Sequence, residues 1–224
     1  MCQELLGFNM NVFNTEKLPI PLIVLITIFG IIEIASQVSE FGLLSTLNLR
    51  QLFLMLGAFW PPLITNDLMG IYGSQKYIMF ITYAFIHGNF LHFLLNAVVL
   101  LSLGKMISYK LGNLITVLLF FTSSISGGLV FYFLSKSASP MIGASGAVFG
   151  FIGVWQYYDL SSRLSRKEPL QHFFFTIGAL IIGNILIAFV LKGGLAWEAH
   201  LGGFLIGFIF VPFLSLFKEI ALNN

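Results

Sequence analysis

Four polar residues of the kind used in acyl transfer stand in otherwise apolar sequence: His92, Asn96, Ser145 and His200. A serine hydroxyl is a weak nucleophile until a base takes its proton, and histidine titrates near neutral pH. The reaction also needs donors for the charge that develops on the carbonyl oxygen. His92 and Asn96 have the i,i+4 spacing that puts both on one helical face, where an imidazole and an amide could supply them. Small residues surround the serine in Gly143-Ala144-Ser145-Gly146, so backbone N–H groups can approach a substrate. At a helix N-terminus those groups are unpaired and point toward an anion. The elbow pattern G-x-S-x-G is absent, since Ala147 takes the place of the second Gly, and a soluble α/β-hydrolase is disfavoured.

The elements that position these residues follow from composition. Of 224 residues, 58% are hydrophobic and 9% charged, and the mean hydropathy is +0.94. A soluble domain carries about 25% charged residues, so this chain lacks the polar surface to stay in solution and reads as a membrane protein. Its formal charge of +2, with scattered Lys and Arg, excludes a nucleic-acid partner. The lone Cys2 excludes an intrachain disulfide. No cleavable leader is expected, because residues 1–16 lack a basic region feeding an apolar one.

With roughly 20 apolar residues needed per crossing, six spans are expected, at about 18–35, 90–107, 114–134, 143–158, 173–191 and 197–217. The expected fold is therefore an all-α membrane protein, a six-transmembrane-helix bundle over 17–217 with a long first loop at 37–89. A short N-terminal segment (1–16) and a short tail (218–224) flank it on the cytoplasmic side. The start of span two is ambiguous, because apolar sequence begins upstream at Tyr77. Within the loop, Leu52–Trp60 is too short to cross and reads as re-entrant or interfacial.

Counting Lys and Arg gives seven on one side (Lys17, Lys105, Lys110, Arg163, Arg166, Lys167, Lys218) and four on the other (Arg50, Lys76, Lys136, Lys192). This bias puts both termini in the cytoplasm. Even-numbered spans then all run inward, and their first turns lie at similar depth near the outer face. His92, Asn96, Ser145 and His200 thus converge on one layer by topology alone.

These residues resemble the rhomboid family of intramembrane serine proteases. The pattern His-x4-His-x3-Asn stands as His87, His92 and Asn96, the serine motif as Gly143-Ala144-Ser145-Gly146, and the histidine motif as Ala199-His200-Leu201-Gly202-Gly203. The resemblance covers about 78–215. It implies a Ser145–His200 dyad without a carboxylate, with His92, Asn96, the Ser145 N–H and Gly143 forming the oxyanion hole. It implies that Gly203 lets spans four and six pack closely. The implied substrates are single-pass transmembrane proteins, with no metal or nucleotide cofactor. Two departures stand out. Ile78 and Met79 replace the family's common Trp-Arg, and Phe149 holds the place of a Tyr that stacks on the histidine in some members.

Blander readings compete at several positions. His87 is read as tying the first loop to the bundle. Glu198, about 200° from His200 around a helix, points away from it. Glu33, Gln156 and Asn184 are read as interhelical hydrogen bonders, and Arg163, Arg166 and Lys167 as an orientation signal near anionic lipid. The Gly203-x3-Gly207 spacing suits packing within the molecule. Two other classes explain part of the pattern. A non-catalytic rhomboid-like binder of membrane helices would lack the Ser or the His, and a channel would spread polar residues through the bilayer depth. The bacterial plasma membrane is the default location and an organelle membrane the alternative. Natural substrate and oligomeric state are not encoded legibly.

Overall fold

The computed structural model describes residues 17–42, 48–65, 68–137, 139–190 and 194–222. Side chains are described as far as 216, and the segment 1–16 expected to be cytoplasmic lies outside these residues. Eight α-helices follow in order: α1 (Ile20–Glu40), α2 (Leu49–Gly57), α3 (Gln75–Thr82), α4 (Phe90–Leu111), α5 (Asn113–Leu134), α6 (Ser145–Arg166), α7 (Gln171–Val190) and α8 (Trp197–Leu222). Among the described residues the only β pairing is an isolated antiparallel bridge between Phe59 and Met141.

Five helices, α1, α4, α5, α7 and α8, are long and apolar enough to cross a membrane. Their length and composition, with the all-helical packing, are those of an integral membrane protein built as a helical bundle. The sixth long helix, α6, has 22 residues, ten of them buried, including Gln156 and Tyr158. It packs against α4, α5 and α8, so Gln156, Tyr158 and Ser162 face protein instead of lipid.

Several boundaries differ from the sequence expectation, each for a local reason. α1 runs on to Glu40, past the expected end at 35, because an arginine neutralises the charges of its last turns. The apolar run from Tyr77 is not part of span two. It forms α3 and a 3-10 turn, Tyr83–Phe85, and Asn89 then starts α4 by accepting the His92 N–H at 2.9 Å. α6 begins at Ser145, so Gly143 and Ala144 precede the helix. α8 continues through Leu222, which removes the expected break at 217.

The bundle is closed by glycine. A Cβ on Gly203 would lie 1.8 Å from the Gly146 carbonyl oxygen, and one on Gly207 would lie 1.9 Å from that of Gly150. A Cβ on Gly153 would lie 2.3 Å from the Phe204 oxygen. No methyl group fits there, so α6 and α8 meet backbone to backbone, as small residues allow in membrane helices. α5 joins them where Ser126 donates to the Gly202 carbonyl at 2.8 Å. Around this seam lies a buried aromatic core that includes Phe29, Phe59, Phe120 and Phe151.

Gly203→Ala should therefore lower stability by at least about 1–3 kcal/mol, the usual range for forced overpacking. Gly178→Ala on α7, where nothing lies within 4 Å of the added carbon, should leave the thermal unfolding temperature in detergent unchanged.

Candidate active site

Ser145 is the first residue of α6 and His200 the fourth of α8, so both sit in first turns that the glycine seam holds together. His200 Nε2 lies 2.8 Å from Ser145 Oγ. The Phe149 ring, one turn along α6, is stacked on the His200 ring with centroids 4.2 Å apart and planes 4° from parallel. His200 is buried at 7% exposure. The ring is thus fixed by stacking on one face and by hydrogen bonds at its nitrogens.

The opposite wall comes from the loop before α6. Gly143 adopts φ +111°, where L residues are strained, and its N–H donates to the Tyr83 carbonyl at 2.9 Å. A Cβ on Gly143 would lie 2.7 Å from His92 Nε2 and closer still to Cε1, so the His92 ring fills the space a side chain would take. His92 therefore faces the turn that leads into Ser145. Asn96 is buried on the same helix, and its amide donates to the His92 carbonyl at 2.9 Å. One Asn96 hydrogen is thereby used, leaving the other available. The N–H of Ser145 has no acceptor within its helix, being first in α6.

His87 is almost fully buried, with its ring 5.3 Å from Phe29 of α1 and 5.2 Å from His92 of α4. Its carbonyl accepts a 2.6 Å hydrogen bond from Arg50 Nη1. Arg50, on α2, was missed from sequence except as a charge to be counted. It pairs with Glu33 at 3.0 Å through both terminal nitrogens, and with Glu40 at 2.5 Å and 3.1 Å. Burial acts against its charge, but the hydrogen bonds to Glu33 and Glu40 outweigh that and raise the guanidinium pKa. This cluster anchors the first loop in a chain where Ile78 is partly exposed and Met79 is buried at the Trp-Arg positions. Glu198 is buried, yet the polar partners of His200 among the described residues are Ser145 and Asn184. Asn184 Oδ1, on α7, lies 2.6 Å from His200 Nδ1. Its place in the site was not foreseen, since spacing within one helix says nothing of a partner sixteen residues on.

A largely apolar groove of about 510 Å³ lies beside His200. Ile177, Ile181 and Ile185 of α7 form one wall, and Leu201 and Phe204 of α8 form the other. Among the described residues no three His, Cys, Asp or Glu side chains gather as a metal centre would require.

Residues 74–217 match the family described as Rhomboid domain, and the chain belongs to the rhomboid family. It is 28% identical over 197 residues to Rhomboid-like protease 1 of Toxoplasma gondii, covering 88% of this chain and 63% of that protein. It is 30% identical over 134 residues to RHOMBOID-like protein 5 of Arabidopsis thaliana, covering 59% and 42%. It is 28% identical over 157 residues to the putative rhomboid protease YdcA of Bacillus subtilis, covering 68% and 76%. The chain thus spans less than two thirds of the length of the first two of these relatives.

Two outcomes are expected of the loop anchor. Arg50→Met leaves Glu33 buried without its partner and should cost about 3 kcal/mol or more, read by chemical denaturation in detergent. Burial first, and then the neighbouring His92 and Arg50 charges, holds the His87 ring down from the usual 6.5 to about 3. Between those values the unfolded chain binds the proton and the folded chain refuses it. Stability should thus fall as pH drops below 6.5, by up to about 1.4 kcal/mol per pH unit. His87→Gln should give a flatter unfolding profile over the same range.

Proposed function

We propose that this protein is an intramembrane serine endopeptidase whose Ser145 and His200 hydrolyse a peptide bond in a membrane-protein substrate. The observation that carries the reading is the 2.8 Å contact between Ser145 Oγ and the buried His200 Nε2, made where helices α6 and α8 begin. The curated relatives named as rhomboid proteases support the same class of chemistry.

In this mechanism His200 Nε2 takes the Ser145 proton as Oγ attacks the substrate carbonyl carbon. The carbonyl oxygen becomes an oxyanion, received by the Ser145 N–H, by His92 and by the free Asn96 amide hydrogen; one such donor is worth about 3 kcal/mol in comparable sites. The tetrahedral intermediate collapses as His200 returns its proton to the leaving nitrogen, which frees the amine product and leaves an acyl-serine. Water, deprotonated by the same nitrogen, attacks the ester. A second collapse releases the carboxyl product and restores the Ser145 hydroxyl. Phe149 and Gly143 shape the site without entering the chemistry. The apolar groove beside His200 is suited to side chains of a transmembrane substrate segment unwound near the outer face.

The Lys and Arg bias supports a bundle with both termini cytoplasmic; the bacterial plasma membrane is the default location in this reading and an organelle membrane the alternative. The rhomboid domain is assigned to 17–217, with 37–89 as its outer loop.

Ser145→Ala should lower cleavage of a transmembrane substrate in proteoliposomes by at least ~10³-fold and abolish fluorophosphonate labelling, while the variant still unfolds cooperatively. Cleavage at the wild-type rate by that variant sinks the proposal. Wild-type protein that neither labels nor cleaves would instead place the chain with non-catalytic binders.

A further inference from the structure

The geometry points to Asn184 as the positioning residue for the base His200, a role that rests on the dyad reading above. The two hydrogen bonds of the Asn184 amide determine which way it faces. Its Nδ2 donates to the Leu180 carbonyl of its own helix at 2.8 Å, which leaves Oδ1 toward His200 Nδ1 at 2.6 Å. An amide oxygen can only accept, so Nδ1 must carry the ring proton and Nε2 must present its lone pair. That lone pair lies 2.8 Å from Ser145 Oγ. Were the amide reversed, its N–H would meet Nδ1, the proton would sit on Nε2, and the ring could not take the serine proton. A single side chain thereby selects the tautomer the chemistry requires.

The surroundings of Asn184 favour this over a packing role. α7 has no buried residue along its whole length. A Cβ on Gly183, next in sequence, would meet nothing within 4 Å. A polar amide in such a helix is costly unless it has a partner, and here the partner belongs to another helix and to the proposed base. Among the described residues the other polar link from α7 to a neighbouring helix is at its far end, where His172 lies 4.0 Å from Asp159. Phe149 stacking fixes the plane of the His200 ring, yet it cannot choose between ring nitrogens.

The test compares wild type, Asn184→Leu, Asn184→Ala and Asn184→Asp in proteoliposomes, with Ser145→Ala as reference and thermal unfolding measured for each. Asn184→Leu and Asn184→Ala should lose roughly 10- to 100-fold in kcat, with KM within about twofold because substrate contacts elsewhere are kept. Asn184→Asp retains an acceptor at the same place and should recover most of that loss. Two variants of different volume guard against one that fails to fold. Wild-type kcat in folded Asn184→Leu or Asn184→Ala overturns the assignment, and so does equal impairment of the Asp and Ala variants. An active Ser145→Ala would instead bring down the dyad reading, which separates the two failures.

Discussion

Everything in the site depends on α6 and α8 meeting with no side chain between them. The Gly203 and Gly207 α-carbons press against the carbonyls of Gly146 and Gly150, and this contact sets the depth and separation of the two first turns. Ser145 and His200 are then brought to 2.8 Å as a consequence of backbone packing. The aromatic core, the Ser126 bond to Gly202 and the Phe149 stack refine an arrangement that the glycines have already fixed. In lipid, where apolar burial drives helix association weakly, such close van der Waals contact is the main available force.

A second constraint acts from the loop side. Arg50 engages two carboxylates of α1 and the carbonyl of His87, whose ring packs on His92. The buried guanidinium is compensated by Glu33 and Glu40 together, so the charge is paired and its hydrogen bonds are directed. α1, α2 and the start of α4 are thereby joined at one node. The wall opposite Ser145 inherits its position from that node, through His92 and the Gly143 turn it covers.

Much of this was legible in sequence, because the relevant signals are local or topological. Apolar length located five long apolar helices within about five residues, and the shared direction expected of spans two, four and six agrees with the meeting of the first turns that carry His92, Ser145 and His200. What escaped had physical causes. Charge excluded the last turn of α1 from the apolar count, since the arginine that neutralises Glu33 and Glu40 is distant in sequence. The apolar stretch after Tyr77 looked continuous with α4, although the Asn89 cap divides them. Asn184 and Arg50 were visible as polar residues, but their partners lie on other helices and no periodicity within one helix could assign them.

The composition of α6 bears on how the chain is made. Buried Gln156 and Ser162, with Asp159, Arg163 and Arg166 beyond them, leave α6 less apolar than the five helices long and apolar enough to cross a membrane. On its own it gains less from hydrocarbon surroundings than they do. Its favourable surroundings are α4 and α5, synthesised before it, and α8, synthesised after it. The surroundings that offset the polar groups of α6 are therefore complete only once α8, the last helix in sequence, packs against it.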